Sequence, residues 1–279
     1  FRENSPIIIV CAIISANAVV IPKGNDTIGP EDSIYITGNL ASLDHFFKDV
    51  GQEERINSAL IVGGGRITRY LADILDRRKI DFSIIEINQR TAEDLADRYP
   101  KHEIVWADGT DKNILRQQGI LNYDILIALT DIDEENMVLS WTGSKMGINR
   151  TITKVSRSDI YQLLNDLELF SVISPQSIIG DQIVKIVRSM EREDVSSIEE
   201  FHRLEGNQIE VNQFYVNQGA EVTGIPLKDL SLKANTLIGY ILRQEELILP
   251  GGNDTIELGD SVIVVTTQKL HDINEILAE

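Results

Sequence analysis

The sequence predicts an α/β chain. A doubly wound parallel-sheet lobe fills the middle, a small α+β lobe follows it, and the end of an earlier copy of that small lobe precedes it. Three observations carry this. Pro22-Lys-Gly-Asn-Asp-Thr-Ile28 returns as Pro250-Gly-Gly-Asn-Asp-Thr-Ile256, and Asp32-Ser-Ile-Tyr-Ile lines up with Asp260-Ser-Val-Ile-Val at the same offset of 228 residues. A period of that size marks a duplicated domain rather than a solenoid of short repeats. Between the copies, short apolar runs alternate with stretches of helical periodicity, the grammar of right-handed βαβ units. The first of those runs stops at Gly63-Gly-Gly65.

Taken in order, Ile7–Ile21 is uncharged and mostly apolar, but shorter than the roughly 20 residues a membrane span needs. Its copy settles the reading. Ser15-Ala-Asn-Ala18 aligns with Arg243-Gln-Glu-Glu246, a charged tetrapeptide between two apolar runs. Both are strand, polar turn, strand, so residues 7–14 and 19–21 form a hairpin. Ala59–Val62 is the next strand, and Ile67, Tyr70, Leu71, Ile74 and Leu75 then recur at helical spacing. Strands follow at Phe82–Glu86, Ile104–Trp106, Ile125–Leu129 and Thr151–Val155, with helices over Thr91–Tyr99 and Glu134–Met146 between them. Val172-Ile173 is a sixth, short strand. Ile179, Ile183, Ile186, Val187 and Met190 make a long apolar stripe. Glu191–Glu200 is acidic and reads as a linker or a solvated helix end. Short strands with turns come next, at Gln208–Val216, Leu237–Leu242, Leu247–Leu249 and Ser261–Thr266, and Leu270–Leu277 reads as a closing helix.

Composition narrows the function classes. At 279 residues the chain forms more than one compact unit. A formal net charge of −18 opposes a sequence-independent nucleic-acid surface, which needs a basic face, and opposes charge-driven adhesion to an anionic bilayer. Cys11 is the only cysteine, so no internal disulfide forms, which fits a reducing compartment. His45, His102, His202 and His271 lie far apart in sequence and form no metal-ligand motif.

The chemistry is expected at the first strand-to-helix turn. Gly63 permits a tight turn there. Gly65 lets the backbone approach a pyrophosphate, which then rests on the helix N-terminus. Thr68 stands where the usual fingerprint has a third glycine. Glu86 ends the second strand of the lobe at the distance expected of a carboxylate gripping a ribose diol. A carboxylate there repels a 2′-phosphate and so disfavours NADP. Asp108-Gly-Thr110 follows the third strand; it either presents Asp108 or its backbone to an adenine, or is an Asp-Gly turn with Thr110 capping the next helix. Thr130-Asp-Ile-Asp-Glu-Glu-Asn136 follows the fourth. It lacks the central glycine and closing glutamate of an EF-hand, so its acids are read as capping and polarising a helix start.

Residues 59–190 resemble the nucleotide-binding lobe of RCK domains, the regulators of potassium conductance. The likeness rests on Leu60-Ile-Val-Gly-Gly-Gly65, Ile85-Glu86, Ala107-Asp-Gly-Thr110, Ala128-Leu-Thr-Asp131 with Asn136, and Ser174-Pro175. Residues 201–279 resemble the RCK C-terminal lobe through Gly224-Ile-Pro-Leu-Lys-Asp-Leu230, Ile241-Leu-Arg243, Leu249-Pro250 and Leu258-Gly-Asp260. The domain expectation is therefore 1–50 as the end of a first C-terminal lobe, 56–190 as a Rossmann-like N-terminal lobe, and 201–279 as a second C-terminal lobe. Tandem RCK units in one chain are the pattern of the cytosolic regulatory subunits of Trk-type potassium uptake, and a full RCK unit is expected ahead of Phe1.

The resemblance implies a protein that binds NAD(H), or ATP/ADP at the same site, and regulates a membrane potassium channel or transporter. It would work as a homo-oligomer, a dimer or ring, in the cytoplasm on the inner face of the membrane. By resemblance, Gly63, Gly65, Arg66 and Ile67 face the phosphates, Glu86 holds the adenosine ribose, Asp108 and Gly109 flank the adenine, and Thr130 lines the pocket. Family members often place an arginine after the fifth strand to meet phosphate; here Lys154 stands near that place, with Arg157 beyond it. The Ile179–Met190 stripe either covers its own sheet or, as in RCK proteins, crosses to a partner lobe. Two rivals remain. An NAD-dependent oxidoreductase needs a placed base or proton donor, yet after residue 200 only His202 and His271 are available and neither sits in a motif. A methyltransferase would share the glycines and the acids but not the duplicated C-terminal lobe.

Overall fold

The computed structural model describes residues 8–15, 18–51, 56–160, 171–191, 193–204 and 208–278. Ile7, the middle of the Ser15–Ala18 turn and part of the Glu191–Glu200 stretch lie outside them. The chain divides into two compact units, Glu54–Ile178 and a second made of Phe1–Glu53 with Ile179–Glu279.

The first unit is a parallel sheet. Its strands are β4 (Ser58–Val62), β5 (Asp81–Glu86), β6 (Glu103–Trp106), β7 (Ile125–Ala128), β8 (Thr151–Lys154) and β9 (Ser171–Ile173). They lie in the order β6-β5-β4-β7-β8-β9, every pair parallel. Leu60, Ile61, Ile84, Ile85 and Leu126 are wholly buried, as strands covered on both faces require. Helices α2 (Arg66–Arg78), α3 (Gln89–Arg98), α4 (Lys112–Gln117) and α5 (Asp133–Met146) connect them. Ala72, Leu75 and Leu95 of α2 and α3 pack with β4 and β5 in one cluster, and Leu115 and Leu139 of α4 and α5 pack in another. Chain order reverses between β4 and β7, so a crevice opens beyond their carboxyl ends, where ligands of such sheets bind. Asp111, not Thr110, caps α4, by accepting from Asn113 N at 2.8 Å.

The second unit holds two antiparallel sheets. Strands β1 (Ile8–Ser15), β2 (Ala18–Val20) and β3 (Ser33–Gly38) form one in the order β2-β1-β3, followed by helix α1 (Leu40–Asp49). Strands β10 (Ser196–Leu204), β11 (Ile209–Val216), β12 (Thr236–Arg243), β13 (Glu246–Ile248) and β14 (Ser261–Thr266) form the other, in the order β10-β11-β14-β12-β13. Their inner face, with Phe201, Phe214, Val262 and Val264 buried, is the core of the complete lobe. Cys11 and Ala12 of the first sheet, with Ile21 just after β2, pack on Ile209 and Val265 of the second, and Tyr240 Oη donates to Thr37 O at 3.3 Å. The half-lobe thus buries its apolar face on the complete lobe.

Two expectations are corrected. Ser196–Leu204 is a full strand, not a linker or a helix end. Its register shifts at Ile198/Glu200, which sets the buried Ile198 and Phe201 three apart and hides the two-residue period. Leu270–Leu277 is no helix but a single 3₁₀ turn, Ile273–Ile276, with Leu270, Ile273 and Ile276 buried. Backbone bonds from Lys233 N to Ile276 O and from Ala278 N to Ser231 O hold this segment against residues 231–233 and prevent it from coiling further. Helix α6 (Pro175–Glu191) carries the apolar stripe, and among the described residues Ile179, Ile183, Ile186, Val187 and Met190 are all more than half exposed. Its Arg188 is buried, held by Glu210 at 2.8 and 3.1 Å and by Leu270 O at 3.0 Å.

Candidate functional site: a cleft above the glycine turn

Strand β4 ends in a turn whose glycines are needed for three different reasons. Gly63 has φ +101°, and a Cβ there would come within 2.7 Å of Leu129 O. Its N–H is fixed by Ile85 O at 2.8 Å, while Leu129 N bonds Val62 O at 2.8 Å, so β5 and β7 grip the turn from both sides. Gly64 donates to Glu86 Oε2 at 2.5 Å, and a Cβ there would sit 2.8 Å from that same oxygen. Gly65 is different: a Cβ would meet nothing within 4 Å. Its space is open because it faces the cleft. Gly65 is also the N-cap of α2, with no side-chain cap and no acid in the first turn. Free N–H groups and the helix dipole there make a ready anion site. Thr68, in the place of a third glycine, is fully buried and donates its hydroxyl to Gly63 O, which fastens α2 to the turn.

The opening is a cleft of about 460 Å³. Gly63, Gly65, Glu86, Asp108, Gly109 and Thr130 all line it. Arg66 and Ile67 do not; they open α2 outside the lining. Glu86 is buried, with Oε1 taking Asn88 N at 2.7 Å and Oε2 taking Gly64 N. The two bonds hold the carboxylate rigidly at the lip, where its remaining lone pairs suit a diol. Asp108 Oδ1 accepts from both N and Oγ1 of Thr110, at 2.9 and 2.7 Å, which shapes the loop after β6. A Cβ on Gly109 would clash with Val62 Cγ1, so this glycine is required by the end of β4.

Thr130 is set by Asn136, which is buried and fully bonded. Asn136 Oδ1 takes Thr130 N at 2.8 Å, and its Nδ2 donates to Thr130 O at 3.1 Å and Lys154 O at 3.0 Å. Asp133, also buried, accepts from Ser156 N and Arg157 N at 2.9 Å. The start of α5 thereby ties the cleft wall to the end of β8. Lys154 points its amine at Asp131, 3.6 Å away, and Arg157 is taken by Glu134 and Asp159 at 2.8 and 2.9 Å, so neither lines the cleft.

Sequence reasoning missed Gly64, Asn88, Asp131 and Glu135, all of which line the cleft. Asn88 could have been found as the N-cap of α3, two residues past Glu86. Asp131 belongs to the RCK likeness without a role assigned to it, and Glu135 lies in an acidic stretch read as a helix start.

Comparisons with known proteins bear on the domains and the fold. The family model of the TrkA-N domain matches residues 59–175, and that of the TrkA-C domain matches residues 212–278. The Trk system potassium uptake protein TrkA homolog 2 of Methanosarcina mazei is 28% identical over 260 residues, 92% of this chain and 56% of that protein. TrkA of Halomonas elongata is 26% identical over 270 residues, 96% of this chain and 58% of that one. The chain thus spans little more than half the length of these relatives. Among solved structures, the GsuK channel aligns with TM-score 0.51 at 16% identity, over 94% of this chain and 46% of the channel chain. The crystal structure of the GsuK RCK domain gives 0.50 at 16% identity, over 94% and 55%. The chain thus carries a TrkA-N domain followed in order by a TrkA-C domain, and its fold is that of RCK domains.

Proposed function

We propose that this chain is the nucleotide-sensing part of a cytoplasmic regulator of membrane potassium uptake, and that it takes NAD(H), or ATP or ADP, in the cleft above Gly63–Gly65. Gly65 carries the reading: it is an uncapped helix N-terminus with open space where a side chain would project. A pyrophosphate fits that position. Glu86 then holds the adenosine ribose, and Asp108 and Gly109 flank the base. Thr130 bounds the far end. The relatives are named for potassium uptake, which supports a membrane channel or transporter as partner and a place on the inner face of the membrane through it.

A regulatory role is supported by the relatives, whose names give potassium uptake and no reaction. Residues 1–50 act as the end of a preceding C-terminal lobe, and the exposed stripe of α6 serves assembly into a dimer or ring. Among the described residues no helix is long and apolar enough to cross a membrane.

Hydrogen exchange with and without NADH tests this. Slowed exchange at residues 63–68, 86–88 and 130–136, with no loss of nicotinamide absorbance on adding keto acids, aldehydes or quinones, is expected. Sustained protein-dependent NADH oxidation would favour an oxidoreductase instead.

A further inference from the structure

Two helices start beside the centre of the cleft, and their N-termini differ in charge. Helix α2 follows β4 and α5 follows β7, and these two strands are hydrogen-bonded neighbours. The α2 start has no acid in its first turn and no side-chain cap. The α5 start carries Asp133, Glu134 and Glu135. The cleft lining contains Glu86, Asp108, Asp131 and Glu135 and no basic residue. The bases beside α5 are already engaged, Lys154 with Asp131, and Arg157 with Glu134 and Asp159. Of these acids Asp131 and Glu135 face the cleft, whereas the buried Asp133 is taken up by the Ser156 and Arg157 N–H groups and Glu134 by Arg157.

We infer that this acidic wall makes the cleft choose its nucleotide by charge. One diphosphate is received on the free α2 N-terminus. Further negative charge beside α5 is rejected, and positive charge there is favoured. This rests on the nucleotide reading above and sharpens it. A nucleotide with its adenosine over Glu86 and Asp108 extends its other end past the glycine turn toward Thr130, Asp131 and Glu135. NAD⁺ brings one diphosphate there and a cationic ring. NADH brings the same diphosphate and a neutral ring, and ATP a longer phosphate chain with no cation. The order of affinity is therefore NAD⁺, then NADH, then metal-free ATP, with Asp131 and Glu135 as specificity-determining residues. A unit of charge within several ångströms of the wall, in partly solvated surroundings, changes affinity about three- to tenfold at low salt.

Calorimetry on the intact chain with NAD⁺, NADH and ATP, without divalent metal, at two ionic strengths, tests the inference. Expected is the order given, with gaps that shrink at the higher salt and shrink again in Glu135→Gln. Asp131→Asn is the less direct variant, because it leaves the buried Lys154 amine without its carboxylate. Retained helical circular dichroism would confirm that Glu135→Gln is folded. ATP or NADH binding as tightly as NAD⁺ at low salt, or a ladder indifferent to both salt and Glu135→Gln, would overturn the inference while leaving the nucleotide site standing. Binding of none of the three would instead remove the nucleotide reading on which it rests.

Discussion

The hairpin at the start of the chain and the hairpin near its end pair their strands in the same register. Ile8↔Gly38 recurs as Thr236↔Thr266 and Ser15↔Ala18 as Arg243↔Glu246, and the register shift at Val10/Ala12 returns at Ile238/Tyr240. The turns use the same chemistry. Asp26 takes Lys23 N at 2.6 Å as Asp254 takes Gly251 N at 2.6 Å, and Asp32 takes Gly29 N at 2.7 Å as Asp260 takes Glu257 N at 2.8 Å. The copies differ in their surroundings. In the complete lobe β14 lies between β11 and β12, whereas β3 lies at the edge of its three-stranded sheet. Where the second copy has Tyr240, the first has Ala12, and the tyrosine reaches across to Thr37. Arg243 binds Asp260 through two bonds of 2.8 Å; its counterpart Ser15 offers Asp32 one hydroxyl. Self-contained turns kept their sequence, and divergence fell where each copy meets a different neighbour.

The largest test of this contrast is the joint between the sheets. Ile209→Ala, at a wholly buried position packed against the first copy, is expected to cost about 3–4 kcal/mol in urea unfolding. It should also speed alkylation of Cys11. Burial pushes that thiol up to about 11, so in the docked state it is both covered and protonated. Native Cys11 reacting as fast as a free thiol would show that the half-lobe is not seated there. Arg243→Ser rebuilds the second copy's corner in the first copy's form. It strips a buried carboxylate of two charged bonds and is expected to cost about 2 kcal/mol, whereas Ser15→Ala should cost less. Equal costs would mean that the two corners do the same work.

The smallest effect is on the acid side. The Ser15 hydroxyl, and then the Gly29 N–H, hold the Asp32 carboxyl below its ordinary value of 3.8. A lowered folded-state value gives stability that is present above the ordinary value and is lost as pH falls through the folded one. Asp32→Asn should therefore lower the melting temperature near neutrality and lose that deficit at acid pH. A deficit independent of pH would assign Asp32 a purely steric part.

The sequence showed the strand-and-helix alternation of the central lobe because each strand is a short apolar run, as in Ala59–Val62 and Ile125–Ala128. The glycine turn and Glu86 were legible for the same reason: their order along the chain is also their order in space. What stayed hidden depends on neighbours distant in sequence. The bulge at Ile198/Glu200 broke the period of β10, and bonds to residues 231–233 held Leu270–Leu277 short of a helix. Helix α4, six residues long with one buried leucine, is too short for a visible period. Gly64 and Gly109 look like ordinary loop glycines until Glu86 Oε2 and Val62 Cγ1 are seen pressing on them. The cleft's acidic wall emerged only when the β7–α5 loop was placed beside the glycine turn.

Calorimetric titration of NADH into the wild-type chain and into Gly65→Val tests the cleft most directly. A Cβ at residue 65 meets nothing within 4 Å, so the valine variant should keep its fold and melting temperature while its side chain occupies the place of the pyrophosphate. The expected result is a saturable heat in the wild type and at least a hundredfold weaker binding in the variant, a difference of about 2.7 kcal/mol or more. Equal affinity in the two proteins would contradict a nucleotide seated on the glycine turn.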